Sequence, residues 1–269
     1  MVEEINWVTR LVNLVVGKPA AALLLALGFH PNPEAPIPTH IAMEIFIFLL
    51  VAIFFLWLRA RLSVDRPSGI QQFMEILLTN PFRLGVKDMI DDFIGHGGEK
   101  YIPMLGSIGI FVLFSNLISL IPTLDSPTAQ YSVPLGCALL VFLYYNYCGL
   151  AKNGPLRYSK QFLGPIPALG PLMVPIEIFS HIARMISLTA RLWANMLASE
   201  TIYGLILGLT VGLSIFIEKM NPVGYVSVVI PFFGPVIFMA LHIFVAFVQA
   251  FVFTILPVIY VAGAVAESH

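Results

Sequence analysis

Residues 177–203 read EIFSHIARMISLTARLWANMLASETIY and combine the hydrophobicity of a membrane helix with several ionisable side chains. Arg191 lies near the middle, and no acidic residue of this stretch stands three or four positions from it. An arginine at the centre of a membrane helix costs about 2.5–3.5 kcal/mol on insertion scales. Because such a residue must face protein, water or an ionic partner, the stretch predicts a membrane helix with a functional polar face.

The composition of the whole chain indicates a polytopic membrane protein. Of its 269 residues, 58% are hydrophobic and only 11% are charged, whereas a soluble domain carries about 25% charged residues. The chain has no zinc-type Cys/His spacing, phosphate-binding loop or nucleophile elbow. We therefore expect no catalytic residue, and no metal, cofactor, nucleotide or nucleic acid bound by this chain. Cys137 and Cys148 share one apolar run, which predicts free thiols in the core.

Hydropathy and charge predict about five membrane passes, with the N-terminus outside and the C-terminus in the cytoplasm. Residues 41–58, 102–121 and 131–151 are apolar runs that can span a bilayer. Basic residues concentrate in the two loops that this topology places in the cytoplasm, and the outside turn at 122–130 has none. The basic residues that follow the first and third runs are Arg59, Arg61, Arg66, Lys152, Arg157 and Lys160.

The last two apolar segments are too long to stand upright in a membrane. As single helices, residues 175–216 would extend about 63 Å and residues 236–266 about 46 Å, against about 30 Å of hydrocarbon. The first segment is either two separate spans or one steeply tilted helix with a break near Gly204, Gly208 or Gly212. Its length favours the tilted arrangement. The fold class predicted is therefore all-α, with the last two helices forming a long, tilted antiparallel hairpin.

Two other segments are predicted to lie at the membrane interface. Residues 1–30 are apolar but interrupted by charges, which favours an amphipathic interfacial helix over a signal peptide. The extended linker at 31–38 (PNPEAPIP) separates this segment, 1–38, from a single transmembrane domain, 39–269. Residues 69–95 have helical spacing, with a kink or a split expected at Pro81. Their carboxylates, Asp88, Asp91 and Asp92, are interpreted as a solvated face.

Polar residues follow one stripe of the helix that carries Arg191. Glu177, Arg184 and Arg191 are seven positions apart, and His181 and Asn195 stand four positions after Glu177 and Arg191. This spacing places all five on one face, while nine residues separate Arg191 from Glu200 and turn Glu200 about half a turn away. Two alternatives stay open from the residues alone: Arg184 is either functional or a snorkelling residue, and Glu177 pairs with either His181 or Arg184.

The last helix carries a second polar pair. His242 and Gln249 are seven positions apart on one face. If the last two segments pack antiparallel, His242 lies level with Glu200, and Gln249 lies level with Arg191 or Asn195. Ser187 and Tyr260 add hydroxyl groups to the same two helices, and Asn116 is either a helix-packing residue or part of the polar site.

These motifs resemble one known family. The run SLTARLWANMLASE at 187–200, the last run from LHIFVAFVQAF to the end, and the segments NLISLIP and PLMVPIEIFSHIAR are similar to subunit a of F-type ATP synthases. The resemblance extends over about residues 36–269. It implies a multi-pass subunit of a bacterial cell membrane that flanks a rotating ring of c subunits and contacts subunit b. Proton flow through this subunit would turn the ring and drive ATP synthesis in a separate part of the complex.

The resemblance also implies roles for individual residues. Arg191 would meet the buried carboxylates of the c ring and separate two offset half-channels for protons. Asn116, Glu200 and His242 would form the outside half-channel, with Asn195 and Gln249 near its inner end. The cytoplasmic half-channel would use a set of residues on both long helices: Glu177, His181, Arg184, Ser187 and Tyr260.

One departure and one alternative accompany this interpretation. Some members of the family carry an acid three residues after the Asn of the second span, where this chain has Ser119, and Asp125 in the following turn is the candidate to replace it. A stand-alone proton- or ion-coupled secondary transporter is the alternative function. Such transporters often contain internal repeats, and the two halves of this chain differ in span length and in polar pattern.

Overall fold

The computed structural model describes residues 6–29, 32, 35–79, 83–95, 97–121, 124–161, 170–220 and 225–266. Within these ranges the regular structure is entirely helical, which confirms the predicted all-α class. The α-helices in chain order are α1 (Trp7–Ala26), α2 (Thr39–Ala60), α3 (Gly69–Leu78), α4 (Val86–Phe93), α5 (Ile102–Leu117), α6 (Ser132–Gln161), α7 (Gly170–Met220) and α8 (Tyr225–Val265).

Six helical segments of the described chain are long and apolar enough to cross a membrane. Five of them correspond to the predicted passes, within α2, α5, α6, α7 and α8, and the sixth is α1. The multi-pass character of the protein is therefore confirmed. At the end of α2, the guanidinium of Arg61 lies 4.7 Å from the ring centre of Trp57, a pairing typical of the membrane–water boundary.

The N-terminal helix packs on α2 instead of standing apart from the rest of the chain. Val8 and Val12 of α1 share a small core with Met43 and Ile47 of α2. Asn13 fixes the segment after α1, because its side chain donates to the carbonyl of Ile37 at 3.0 Å and accepts from the Ile37 N–H at 2.9 Å. The extended linker predicted at 31–38 is thus held against α1 at Ile37, where the structure describes it.

The segment predicted as a kinked or split helix forms two short helices, α3 and α4. Ser68 caps α3 by accepting from the backbone N–H of Gln71 at 3.3 Å, which satisfies one of the free donors of a helix start. Arg83, just before α4, pairs with Asp92 at 3.0 Å on an exposed surface. Pro81, the predicted cause of the break, lies outside the described residues.

Helices α5 to α8 form the bundle that contains the polar residues of interest. Its main core includes Leu105 and Val112 of α5, with Leu192 of α7 and Phe253 of α8. Helices α5 and α8 pack closely at Gly109, where a Cβ atom would overlap Thr254 Oγ1 and lie 3.7 Å from the carbonyl of Ala250. A glycine is required here because any larger residue would push the two backbones apart.

Helices α7 and α8 are the long elements predicted from the sequence. Helix α7 has 51 residues and α8 has 41, which correspond to about 76 Å and about 62 Å of helix. Helix α7 runs without interruption through Gly204, Gly208 and Gly212, so it is one helix, and neither two spans nor a broken one. The contacts of Ser199 with His242 and of Arg184 with Tyr260 show that α7 and α8 run antiparallel.

Helix α6 bends near its end, and the bend shapes one wall of the bundle interior. Gly154 has φ 75° and ψ 161°, a conformation that is open almost only to glycine, and Pro155 follows it. The chain after the bend turns back so that the Tyr158 ring covers Gly149, where a Cβ atom would overlap it. The Tyr158 hydroxyl donates to Asn146 Oδ1 at 2.8 Å, which holds the bend in place.

Candidate functional site

The polar residues of the bundle form two separate groups, named here the His242 cluster and the His181 cluster, and Arg191 lies between them along α7. The His242 cluster comprises His242, Ser199, Glu200, Asn116, Ser119, Ser126 and Thr128. The His181 cluster comprises His181, Glu177, Arg184, Tyr145, Tyr158 and Tyr260. Each group joins residues from several helices, so the arrangement depends on the packing of the whole bundle.

His242 is the centre of the first cluster and is only 6% exposed. Its Nδ1 contacts the hydroxyl of Ser199 on α7. Its Nε2 lies 3.0 Å from Ser119 Oγ and 3.2 Å from the carbonyl oxygen of Asn116. Ser119 reaches the imidazole because the chain tightens after α5 into the 3₁₀ turn Ile118–Leu120. Three helical segments therefore hold this imidazole, with polar partners on both ring nitrogens.

A chain of hydrogen bonds connects Glu200 to Asn116. The backbone N–H of Ser126 donates to Glu200 Oε1 at 3.1 Å, and the Ser126 hydroxyl lies 2.6 Å from that of Thr128. Thr128 in turn donates to Asn116 Oδ1 at 2.7 Å. Asp125, the predicted substitute for the missing acid, adjoins Ser126 in the sequence. Ser119, which occupies the position of that acid, is a direct neighbour of His242.

Buried polar atoms without a hydrogen-bond partner among the described residues lie beside this chain. They are Asn116 Nδ2, Ser115 Oγ and Gln249 Oε1. Gln249 is 3% exposed and lies two helical turns from His242 on α8. An unsatisfied buried polar group costs about 1–3 kcal/mol, so native proteins usually satisfy such groups with internal water. These atoms mark a polar route that continues from the His242 cluster deeper into the bundle.

The second cluster surrounds His181. Its Nδ1 lies 2.8 Å from the hydroxyl of Tyr145, and its Nε2 lies 3.3 Å from Glu177 Oε1. The same Glu177 oxygen is 3.7 Å from Arg184, so Glu177 pairs with both candidates that the sequence left open. The guanidinium of Arg184 is also 5.5 Å from the ring centre of Tyr260. These side chains, with Tyr158, line a cavity of about 100 Å³.

Tyr145 and Tyr158 are members of this cluster that sequence reasoning missed. Both are on α6, where the run LLVFLYYNYCGL at 139–150 is dominated by aromatic and aliphatic residues. A tyrosine in such a run is far more often a packing residue than a site residue. The signals present in the sequence were the three tyrosines beside Asn146, and Gly154-Pro155, which predicts the bend but not the residue that it folds inward.

Arg191 belongs to neither cluster, since its side chain lies on the exposed surface of α7. Ser187 and Asn195 are exposed one turn before it and one turn after it. Within the described part of the chain, none of the ion pairs includes Arg191. The exposed residues beside it on the same strip of helix are small: Ala190, Ala194 and Ala198. A partner can therefore approach this backbone closely and supply the missing negative charge.

Asn195 and Gln249, which the sequence grouped at the inner end of one path, differ in their burial. Asn195 is exposed beside Arg191, whereas Gln249 is buried inside the bundle. Helical spacing predicts that the two residues lie at a similar depth, but it does not predict that one is exposed and the other buried. Asn195 thus belongs to the exposed strip of Arg191, and Gln249 belongs to the interior route.

Comparisons with known proteins agree with the resemblance noted from the motifs. Residues 41–262 match the family model described as "ATP synthase A chain". The chain is 40% identical over 264 residues to ATP synthase subunit a of Koribacter versatilis, with 98% of each chain covered. It is 41% identical over 238 residues to the subunit of that name from Solibacter usitatus, covering 88% of this chain and 91% of the relative. For Desulfosudis oleivorans the identity is 40% over 250 residues, covering 92% and 96%.

Proposed function

The chain belongs to the ATP synthase A chain family, and from this premise we propose that it is the proton-conducting stator subunit of the membrane sector of an F-type ATP synthase. In this proposal the domain at 39–269 conducts protons, and the chain binds no nucleotide itself. Its partners are a ring of c subunits, subunit b of the peripheral stalk and the lipids of a bacterial cell membrane. The N-terminus lies outside and the C-terminus lies in the cytoplasm.

The observation that carries the proposal is an arginine with no ion-pair partner among the described residues. It is exposed on a membrane helix between the buried His242 cluster and the partly buried His181 cluster. A guanidinium stays charged at any physiological pH. An opposing carboxylate on the ring is therefore stabilised in its ionised form when it reaches Arg191. The carboxylate must release its proton before it passes, so rotation and proton transfer are coupled.

The two clusters serve as the two half-channels in this mechanism. Protons from outside reach Glu200 and move along the polar surface formed by Ser126, Thr128 and Asn116. His242 is the next side chain that can itself carry a proton, and from there protons arrive beside Gln249 at the level of the ring. A ring carboxylate takes up the proton, becomes neutral and can enter the lipid. After rotation it gives the proton to the His181 cluster, from which the proton leaves to the cytoplasm. The fixed charge of Arg191 repels protons and prevents direct passage between the two paths.

The orientation of the two paths follows from charge. The His181 cluster lies towards the ends of α6 and α8 and includes Tyr158, next to the basic residues at 152 to 160. Basic residues favour the cytoplasmic side. The His242 cluster lies at the C-terminal end of α5 and past the middle of α7, beside the turn at 122–130, which has no Lys or Arg. Protons that flow down a gradient directed inward would thus enter at Glu200 and leave past Glu177.

Arg191→Lys in vesicles that contain the whole complex tests the proposal. ATP-driven proton pumping should fall to the background of vesicles without ATP, because lysine is a compact point charge that can lose its proton when buried. Arg10→Lys, the same exchange at an exposed position of α1, is the matched control and should pump normally. Normal pumping by the Arg191→Lys complex would falsify the mechanism.

A further inference from the structure

We infer that Tyr145 on α6 is a positioning residue for proton release, because its hydroxyl holds the imidazole of His181 so that the other ring nitrogen exchanges a proton with Glu177. The inference rests on the function proposed above and gives Tyr145, so far only a member of the His181 cluster, a defined role in the path. No feature of the sequence assigns this role, since Tyr145 lies in a run that reads as apolar packing.

The surroundings of Tyr145 fix its hydroxyl in one place. The side chain is 2% exposed and is among the largest fully buried side chains of the described protein. Its ring centre lies 5.5 Å from those of Phe142 and His181 and 5.9 Å from that of Tyr260. Aromatic contacts from α6, α7 and α8 therefore hold the ring, and the hydroxyl points at His181 Nδ1 at 2.8 Å.

The hydrogen bond to Nδ1 determines which nitrogen of His181 can work as a base. A histidine nitrogen that carries a proton must donate it, and the partner of one nitrogen sets the state of the other. When Tyr145 accepts from Nδ1–H, the lone pair is on Nε2, which faces Glu177 Oε1 at 3.3 Å. The phenol oxygen can hold this bond while the imidazole is neutral and while it is charged, because the proton on Nδ1 stays in place.

The proton then passes through the His181 cluster in three steps. An incoming proton binds Nε2 and converts the neutral imidazole into imidazolium. The Nε2 proton then moves to Glu177 Oε1, which leaves a neutral imidazole and a carboxylic acid. Glu177 finally releases the proton to water on the cytoplasmic side and becomes a carboxylate again. The charged and titratable groups around this exchange are Glu177 and Arg184 on α7, Tyr158 on α6 and Tyr260 on α8, all of which line the cavity.

Tyr145→Phe tests the inference because it keeps the ring and removes only the hydroxyl. The buried Nδ1–H would lose its acceptor, so the tautomer with the proton on Nε2 and the bare lone pair on Nδ1 is favoured, and charging the imidazole becomes harder. In vesicles with the whole complex, we expect ATP-driven pumping at pH 8 to fall by about three- to tenfold, and its pH profile to shift towards acid by about one unit.

Two comparisons separate positioning from packing. Tyr147→Phe makes the same change two residues along α6, at a side chain that is 68% exposed, and should leave the rate and the pH profile unchanged. In a His181→Gln background, Tyr145→Phe should change the rate by less than about twofold, because both substitutions disrupt the same hydrogen-bonded pair of side chains. A purely structural role would lower the amount of assembled complex without moving the pH profile.

The outcomes distinguish this inference from the function on which it rests. A Tyr145→Phe complex with the pH profile of the parent overturns the positioning role, and so does full additivity with His181→Gln. Either result leaves the stator function intact if Arg191→Lys still abolishes pumping. If Arg191→Lys pumps normally, the proposed function itself is wrong, whatever Tyr145→Phe does.

Discussion

Ser119 is the residue at which this chain departs from the pattern of some relatives, and its surroundings explain how a serine serves there. Its hydroxyl donates its single proton to the carbonyl of Asn116 at 3.0 Å and accepts from His242 Nε2 at 3.0 Å. A hydroxyl can act as donor and acceptor at once. Ser119 therefore keeps His242 hydrogen-bonded on this side of the ring without placing a charge next to it.

A carboxylate at this position should be tolerated, because it can accept from His242 Nε2 in place of the hydroxyl. We expect Ser119→Asp to keep at least half of the ATP-driven pumping, whereas Ser119→Leu should lose about tenfold by leaving Nε2 with a poorer partner. Pumping by complexes in vesicles measures both. Ser107→Ala, at an exposed serine of α5, is the control for general effects of substitution. Equal activity of the Asp and Leu variants would contradict the role of Ser119.

Individual residues differ in how far the sequence reveals them. Arg191 stands out because a charge in an apolar helix is expensive, and its exposure with no ion-pair partner in the described chain fits the expectation of an external counter-ion. Tyr145 does not stand out because its hydroxyl adds little to the cost of burying an aromatic ring. Residues whose insertion into an apolar helix is expensive can thus be predicted from the sequence. Residues whose role depends on a neighbour on another helix cannot.

Among the elements, the contact of α5 with α8 determines whether the His242 cluster can form. Asn116 lies in the last turn of α5, Ser119 lies in the 3₁₀ turn that follows, and His242 lies on α8. The two helices pack closely at Gly109, two turns from Asn116. Packed interiors tolerate an added methyl group poorly when the neighbour is backbone or a short side chain. The glycine therefore sets the distance over which the hydrogen bonds of the cluster are made.

Gly109→Ala should separate α5 from α8 and destabilise the chain by about 1–3 kcal/mol. The effect is measured as the temperature at which this subunit dissociates when the complex is heated in detergent. Gly106→Ala is the matched control, because an added Cβ meets only Val86 Cγ1 at 3.9 Å. Thr254→Ala in the Gly109→Ala chain removes the overlapping hydroxyl and should restore much of the loss. An unchanged melting temperature for Gly109→Ala would show that the helices can shift without cost.

Element lengths and types could be predicted well from hydropathy, since membrane spans have a fixed minimum length. The prediction that α7 and α8 are long helices packed antiparallel is confirmed, whereas their tilt in the membrane stays a prediction. What periodicity does not determine is how neighbouring helices are rotated against each other. For this reason Asn195 and Gln249 have compatible spacing but differ in burial. Helix α1 is long and apolar enough to cross a membrane and packs on α2, and the interfacial position of residues 1–30 stays a prediction.

At the scale of the whole molecule, the exposed strip around Arg191 is the surface that would contact the proposed ring of c subunits. The strip consists of Arg191, Ser187 and Asn195 with intervening alanines, and it is exposed along several turns of α7. Small residues allow close approach of helices in membranes. A single moving partner would therefore contact this strip repeatedly and not be held in one place.

A cysteine at Asn195 should capture the proposed partner by cross-linking. In an intact complex with Cys137 and Cys148 replaced by alanine, Asn195→Cys should yield a product with a small two-helix subunit under mild oxidation or with a short bifunctional reagent. Leu143→Cys, at a position of α6 that is 58% exposed, should give no such product. Capture of no subunit by Asn195→Cys, with the complex intact, would contradict the assignment of the strip to the ring.

The uninterrupted α7 also bears on how the membrane voltage is shared between the two proposed proton paths. His181 and Ser199, the contacts of the two clusters on this helix, are 18 residues apart, or about 27 Å of helix, with Arg191 near the middle. Because α7 is expected to be tilted, this length covers only part of the hydrocarbon core, across which a full membrane voltage of 100 mV acts with about 2.3 kcal/mol on each unit charge. For the two proposed paths, each proton would cross part of the voltage before the ring and part after it. Arg191 would then stand where the field is split, so that both halves of the voltage drive the same rotation.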